Sequence, residues 1–165
     1  MARTIFFLIV LSATTLASSA QQSAARVSNR DLTNLVIVLR RDPCLGRCPV
    51  YSVTVRGNGR ITYRGWKFVN VRGAKHYQIP KERVVELVEA FYQIDYFSLL
   101  DEYRSITGPD GSVTVATDLP GVLTSIKLDG KRKSVYNYFG GPTTLKELER
   151  KIEEISGVLR FVERS

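Results

Sequence analysis

The sequence predicts an α+β domain, a largely antiparallel sheet of about 6–7 strands with two main helices packed on it. Short apolar or alternating runs, separated by turns rich in Gly, Asp and Asn, are typical of strands joined in hairpins. Two longer segments carry apolar residues three and four positions apart, the period of a helix with one buried face. The 165 residues are 44% hydrophobic and 24% charged, which excludes a disordered or fibrous chain.

The N-terminal segment has the pattern of a secretory signal peptide. A single arginine precedes a short apolar run over residues 5–11, and small residues lead to a cleavage site after Ala20. The apolar run is shorter than the roughly 20 residues that a helix needs to cross a bilayer, and no later stretch reaches that length. We therefore expect residues 1–20 to be removed and residues 21–34 to be a flexible lead-in. Residues 35–165 should then fold as one domain, secreted or periplasmic.

Two alternating segments around Gly57-Asn58-Gly59 predict a hairpin, and their side chains predict its register. A two-residue turn would place an arginine opposite a core isoleucine. A three-residue loop, with Gly59 in the left-handed conformation, pairs Val55 with Ile61 instead, so that apolar residues face each other. We expect the three-residue loop, which sets Arg56 opposite Arg60. Like charges opposite each other are destabilising, so this face is either well solvated or has an anionic partner.

The remaining strands and helices follow from the same patterns. The continuous apolar run over residues 35–39 suits a central strand. Pro80 opens the first helix, and residues 95–103 continue as a turn or short helix packed on the core. Asp129-Gly130 is a tight-turn motif between the last two strands. Besides the hairpin and the central strand, strands are expected over residues 68–73, 113–118, 122–128 and 134–139.

The second helix is predicted from its ends and its apolar face. Thr144 and Glu147 form a capping box at its start, and Gly157 ends it. Phe161 either begins a last short strand or docks the C-terminal tail. The apolar residues on the core faces of the two helices are Val84, Leu87, Val88, Phe91 and Ile94 in the first, and Leu145, Leu148, Ile152 and Ile155 in the second.

Cys44 and Cys48 are the only cysteines, and Gly46 between them permits the chain reversal that a disulfide needs. An oxidising compartment favours the bond, so a structural disulfide is the preferred interpretation. A redox pair, free thiols and a weak zinc site with His76 remain as alternatives. The spacing departs from the oxidoreductase motif, and no helix begins at Cys48 to lower a thiol pKa.

The other candidate chemical groups are better explained as structural features. His76 lies among basic residues without a nucleophile motif, which favours a surface histidine. The Gly140–Thr144 loop lacks the lysine of a phosphate-binding loop. Trp66, Phe68 and Tyr77 are explained by core packing as well as by an aromatic ligand surface. Carboxylates that a hydrolase would need in a pair occur mostly in turn motifs: Asp95, Asp101, Glu102, Asp110 and Asp118.

Positive charge is concentrated in the first half of the expected mature chain. Residues 21–83 contain 13 Lys+Arg and 3 Asp+Glu, whereas residues 84–165 contain 10 and 13. Such asymmetry attracts anions, and outside the cytoplasm these are envelope polymers, lipid head groups or acidic proteins. Solubility, with pairing to the acidic helices, is the simpler explanation. Nucleic acid is disfavoured because no recognition motif is present.

The chain resembles a family of bacterial secreted domains known only as a domain of unknown function. The resemblance covers roughly residues 33–162 and implies a single exported domain, but it brings no activity, ligand or catalytic residue. The features that carry it are Cys44-x-x-x-Cys48-Pro49-x-Tyr51, Gly57-Asn58-Gly59-Arg60, Tyr63, Gly65, Phe91, Tyr96-Phe97-x-Leu99, Tyr103, Thr117-Asp118-x-Pro120, Lys133-x-Val135 and the helix over residues 145–155.

These observations favour a non-enzymatic, exported binding module over an enzyme. The expected ligand is an anionic envelope component or an acidic protein, bound through a basic hairpin face. We predict no catalytic residue, metal or cofactor. A thiol-redox protein or hydrolase is one alternative, and a structural or assembly domain of the cell envelope is another. The candidate ligand-binding residues are Arg56, Arg60, Arg64, Arg47 and Lys67.

Overall fold

The structure, a computed structural model, describes residues 31–162, so the expected signal peptide and most of the lead-in lie outside the described residues. Its strands are β1 Val36–Arg41, β2 Val50–Arg56, β3 Arg60–Lys67, β4 Gly73–Gln78, β5 Glu102–Tyr103, β6 Ser105–Thr107, β7 Val113–Val115, β8 Val122–Leu128 and β9 Lys131–Asn137. Its helices are α1 Lys81–Gln93, α2 Thr143–Ser156 and α3 Leu159–Val162, with a 3₁₀ turn at Tyr96–Ser98. No helix among residues 31–162 is long and apolar enough to cross a membrane.

Seven strands form one sheet in the order β4-β3-β2-β1-β8-β9-β5, and β6 pairs with β7 in a separate small hairpin. All neighbours in the large sheet are antiparallel except β5 and β9, which are parallel. The strand predicted from the apolar run lies at the centre of the sheet, as β1. The predicted α+β class, with its largely antiparallel sheet and two main helices, is confirmed.

The hairpin between β2 and β3 has the predicted register. Val55 pairs with Ile61, which leaves Arg56 and Arg60 opposite each other at the end of the ladder. The Gly59 N–H donates to the carbonyl oxygen of Arg56 at 2.8 Å. Gly59 has a φ of 82°, the left-handed conformation that the three-residue loop requires. The register therefore follows from local pattern and turn geometry alone.

Both long helices pack on the same face of the sheet. The inward residues of β1, β2 and β3, such as Leu39, Val53 and Ile61, are fully buried there. They contact the predicted apolar faces of α1 and α2 in one cluster. Leu32, at the end of the expected lead-in, is also buried in this cluster. No helix among residues 31–162 covers the opposite face of the sheet, and most of its side chains are partly or fully exposed, although Ser125 on β8 is buried.

The strand expected over residues 68–73 is wrong, because the chain turns there. Phe68 adopts a φ of 53°, in the left-handed region, which breaks the extended run of β3. The Val71 N–H donates to the carbonyl oxygen of Phe161 rather than to a strand. The strand that completes this edge of the sheet, β4, begins only at Gly73.

Two other expectations about the second half of the chain need correction, and the alternative left open for Phe161 is decided. The capping box is absent: α2 begins at Thr143 after Pro142, and no side chain caps it. The strand expected over residues 113–118 is limited to Val113–Val115 and pairs with β6 outside the main sheet. Phe161 lies in the short helix α3 and stacks on Tyr63, so it docks the tail and begins no strand.

Candidate functional site

The helix-free side of the sheet, here called the open face, brings cationic side chains from distant parts of the chain together. In a sheet, cross-strand partners project from the same face, so the register identifies the residues that lie side by side. The register aligns these residues in three rows that run across the strands. Adjacent strands are about 4.8 Å apart, so a row that crosses from β4 to β9 extends about 24 Å.

The first row, here called the cationic row, lies at the end of the sheet next to the β2–β3 turn. Val36 is at its centre, and it pairs with Arg56 on one side and with Lys127 on the other. Arg60 lies beyond Arg56, and Arg132 pairs with Lys127. Two like-charged pairs therefore flank one valine. No carboxylate among residues 31–162 forms an ion pair with any of these four cations.

The second row, here called the hydroxyl row, consists mainly of short polar side chains. Thr54 and Ser125 both pair with Val38, at the centre of the row. At the edge of the sheet, His76 on β4 lies 3.3 Å from the Thr62 hydroxyl, measured from the His76 Nδ1. These side chains are shorter than the cations beside them, so the row forms a shallow trough. Its members are His76, Thr62, Thr54, Val38, Ser125 and Ser134.

The third row closes the trough on its other side and is mixed in charge. Arg64 and Arg40 are its cations, each paired across the sheet with Ser52. Arg40 is ion-paired with Asp42, whose Oδ1 lies 2.8 Å from its Nε. Arg64 has no ion-pair partner within the described part of the chain. On β8 and β9 this row continues with Leu123 and Tyr136. Positions four residues apart along a strand are separated by about 13 Å, so the first and third rows lie about 13 Å apart, and this distance is the width of the trough.

The structure brings some of the sequence-predicted ligand residues together and separates others. Arg56, Arg60 and Arg64 share the open face, as the hairpin register required. Lys67 pairs with Val50 beyond a bulge at the other end of β3, so it lies at the far margin of that face. Arg47 does not join the group, because its guanidinium lies over the Phe68 ring, 5.8 Å from the ring centre.

Sequence reasoning missed the part of the open face that comes from β8 and β9. Lys127 and Arg132 flank the Asp129-Gly130 turn, which the sequence does predict. That turn sets Lys127 opposite Arg132. Their position beside the hairpin depends on the pairing of β1 with β8, a contact between segments about 90 residues apart in the chain. The alternation in each strand indicates which face a residue occupies, but not which strands are neighbours.

Cys44 and Cys48 form a disulfide with a Cα–Cα distance of 5.7 Å, which confirms the predicted bond. Three of the five carboxylates considered for hydrolysis, Asp101, Glu102 and Asp110, have side-chain partners. Asp101 is ion-paired with Lys133, and Asp110 accepts hydrogen bonds from Ser112 in a turn. His76 is exposed on the edge strand, as expected for a surface histidine. Tyr77 packs against Phe161.

A second group of polar residues, which sequence reasoning did not find, lies under α2 at one end of the core. Glu153 is buried and accepts two hydrogen bonds from the Arg41 guanidinium, with Nε–Oε1 at 2.5 Å and Nη2–Oε2 at 3.0 Å. The Tyr51 hydroxyl donates to the same carboxylate. Burial, reinforced by the adjacent Glu153 carboxylate, raises the pKa of the Tyr51 hydroxyl. This network ties β1 and β2 to α2.

Glu149, one turn before Glu153, is the second buried carboxyl group of α2. It accepts a hydrogen bond from the Asn137 side-chain amide at 2.9 Å. No cation within residues 31–162 forms an ion pair with it. Burial raises the pKa of Glu149 to about 7, because desolvation disfavours the charged form. In the sequence, the pattern around these glutamates is typical of a solvated helix face. Their partners Asn137 and Arg41 lie on distant strands, and only the arrangement of the sheet under α2 brings them together.

Comparison with known proteins identifies the domain but not an activity. A family model described as "Domain of unknown function (DUF6438)" matches residues 35–156, well over half of the chain. The match includes the disulfide loop, the β2–β3 hairpin and α2. No protein with a curated description matches the chain.

Proposed function

The chain belongs to the family described as Domain of unknown function (DUF6438), and we propose that it is an exported, non-enzymatic module that binds a linear anionic polymer of the cell envelope through the open face. The carrying observation is the cationic row, in which Arg60, Arg56, Lys127 and Arg132 have no carboxylate partner within the described residues. Like charges placed side by side are destabilising unless solvent or a bound anion screens them.

The shape and chemistry of the open face favour a polymer over a folded acidic protein. A typical protein interface has an apolar, aromatic centre and a polar rim. The open face differs, with hydroxyl groups in the trough, cations along one border and two arginines, Arg64 and Arg40, on part of the other. Phosphate and carboxylate groups accept hydrogen bonds both from arginine and from Ser or Thr hydroxyl groups. An extended chain lying in the hydroxyl row would contact both kinds of donor.

Export supports the choice of an envelope polymer as the ligand class. The N-terminal pattern that predicts cleavage after Ala20 directs the chain out of the cytoplasm. The disulfide is consistent with an oxidising compartment. Outside the cytoplasm, linear phosphate or carboxylate polymers are anions that could lie along a row of about 24 Å.

Binding of defined polymers to the disulfide-intact chain, without its signal segment, tests this proposal. Linear polyphosphate and polygalacturonate separate the phosphate from the carboxylate source, and a folded acidic protein of similar net negative charge represents the protein alternative. We expect a polyphosphate or polygalacturonate affinity that falls steeply between about 50 and about 200 mM salt. The triple variant Arg56→Gln/Arg60→Gln/Arg64→Gln should lose at least about tenfold in affinity.

The matched control removes three positive charges elsewhere. Lys81, Arg83 and Arg150 lie on the helices, so replacing all three by glutamine changes the net charge equally but leaves the open face intact. If polymer affinity falls equally in both triple variants, the loss depends on net charge and not on the open face, and the proposal is overturned. Tighter binding of the folded acidic protein than of either polymer would overturn the polymer proposal in favour of an acidic protein partner. Binding to the polymers that persists at high salt would not be driven by charge, and it would favour the alternative of a structural or assembly domain of the cell envelope.

A further inference from the structure

A cleft runs along α2 on the helix side of the sheet, and the open face does not account for it. Two hollows of about 620 and about 430 Å³ form this cleft, and both are lined by Arg41 and Pro120. The larger hollow reaches Cys48 and Pro49 of the disulfide loop. Its position places the Cys-Pro-x-Tyr motif, the most distinctive part of the sequence, at a cavity wall.

The sheet supplies a polar row at the base of the cleft. Arg41 pairs with Tyr51 on one side and with Val122 on the other, and Val122 pairs with Asn137. Tyr51 and Arg41 therefore lie next to each other, and Asn137 lies two strands from Arg41. Glu153 and Glu149 are one helical turn apart on α2, so each reaches a different part of this row.

The hydrogen bonds in the row leave specific donors for a ligand. Arg41 uses its Nε and Nη2 for Glu153, and its Nη1 donates to no carboxylate among residues 31–162. Lys146, one turn before Glu149, lines the smaller hollow and has no ion-pair partner among the same residues. Glu149 receives the Asn137 amide on Oε1, which leaves its Oε2 without a partner in the described chain.

Charge and wall chemistry together define the ligand. Glu153 is neutralised by Arg41, so below about pH 7, where Glu149 is protonated, Lys146 leaves the cleft with one net positive charge. The rest of the smaller hollow is apolar or aromatic, from Leu119, Pro120, Val122, Tyr138 and Phe139. Pockets of a few hundred Å³ with apolar walls and a few placed polar groups are typical of small-molecule sites. A monocarboxylate with a compact apolar body matches this lining.

We propose that the cleft along α2 is a second binding site, for a small apolar monocarboxylic acid whose carboxylate is held by Arg41 and Lys146 and shares a proton with the Glu149 carboxyl group. Two carboxyl groups in contact cannot both be ionised at low cost, so the pair retains one proton. The apolar part of the ligand lies against Pro120 and Phe139. This site is independent of the open face.

Proton sharing makes the affinity depend on pH. The charged or titratable groups near Glu149 are Arg41 from β1, Lys146 and Glu153 from α2, and Tyr96 from the 3₁₀ turn. Of these, the cations favour ionisation of Glu149, whereas Glu153 and burial oppose it. The pKa of about 7 places the loss of the Glu149 proton near neutrality. Above it, affinity for a monocarboxylate should fall about tenfold per pH unit.

Titration with hexanoate and phenylacetate, followed by NMR or calorimetry, tests the site in the disulfide-intact chain. We expect saturable binding of at least one of these acids at about pH 6 and at least tenfold weaker binding at about pH 8.5. Hexanol, which lacks the carboxylate, should bind at least about tenfold more weakly than hexanoate. Glu149→Gln keeps a neutral donor, so it should retain binding and lose most of the pH dependence.

Two lysine variants keep the test decisive without disturbing the buried network. Lys146→Gln should weaken hexanoate binding several-fold, because it removes one of the two cations at the cleft. Lys151→Gln, on the same helix but beside Glu86, should leave it unchanged. The open-face triple variant should also bind hexanoate normally. The absence of saturable binding of either acid at about pH 6 would overturn the proposed site. Equal affinities for hexanoate and hexanol, or a hexanoate affinity of Lys146→Gln equal to that of the wild type, would also overturn it.

Discussion

Glu149 should make the stability of the domain fall as pH rises towards neutrality. Its carboxyl group is 4% exposed and receives one hydrogen bond, from Asn137. Burial raises its pKa from 4.5 to about 7. Between these values the unfolded chain releases the proton while the folded chain retains it. The free energy of unfolding therefore falls progressively from pH 4.5 to about pH 7. Above that range Glu149 causes no further loss of stability.

The size of this effect follows from the pKa difference. A pKa difference of about 2.5, at about 1.4 kcal/mol for a difference of one, corresponds to about 3–4 kcal/mol, of which about 3 kcal/mol falls between pH 4.5 and pH 7. Small domains have free energies of unfolding of about 5–15 kcal/mol, so this loss should be easy to detect. Glu149→Gln removes the titration but keeps the shape of the side chain. The free energy of unfolding of the variant, minus that of the wild type, should rise by about 3 kcal/mol between pH 4.5 and pH 7 and then level off.

Urea unfolding at a series of pH values measures this difference directly. Subtracting the wild-type curve cancels the titrations that the two proteins share. Glu147→Gln is the matched control, because Glu147 is exposed on the same helix two residues away. The control should follow the wild type at every pH. A Glu149→Gln difference curve that is flat, or that falls between pH 4.5 and pH 7, would refute the reasoning.

Three further predictions concern the stability of the fold. Gly59→Ala should cost about 1–3 kcal/mol in thermal unfolding, because alanine is strained at a φ of 82°; an unchanged melting temperature would contradict this. Replacing Cys44 and Cys48 by serine should lower the free energy of unfolding by about 2 kcal/mol, as expected for so short a loop, and reductant should then have no additional effect. Arg41→Met should cost about 3 kcal/mol, because it leaves Glu153 buried and unpaired. Arg41→Met/Glu153→Met should recover most of that loss in urea unfolding, and a larger loss in the double variant would contradict the ion-pair account.

The parts of the fold that sequence predicts well are those governed by near neighbours in the chain. The β2–β3 register follows from alternation and from Gly59, and the disulfide from spacing and compartment. The break at Phe68 is different, because its residues have the composition of a strand. Contacts with distant residues, such as the bond from Val71 to Phe161, favour the turn instead. Sequence pattern does not include such contacts.

In the candidate sites too, the features set by near neighbours in the chain are predictable, and those set by distant contacts are not. Arg56, Arg60 and Arg64 belong to one hairpin, so their shared face could be predicted. Lys127 joins them only because β1 pairs with β8. Glu149 and Glu153 are four residues apart on a helix with many charges, and that pattern is typical of a solvated face. Their burial depends on the position of α2 over the end of the sheet, which sequence alone does not give.

The proposed function requires that both halves of the cationic row bind one polymer. Its most direct measurement is the polyphosphate affinity of Lys127→Gln/Arg132→Gln as a function of salt, compared with the wild type. Each neutralised phosphate on a flexible chain contributes about 0.7 to the slope of log affinity against log salt. We predict a lower affinity and a slope reduced by about 1.4. An affinity and slope equal to those of the wild type would contradict the claim.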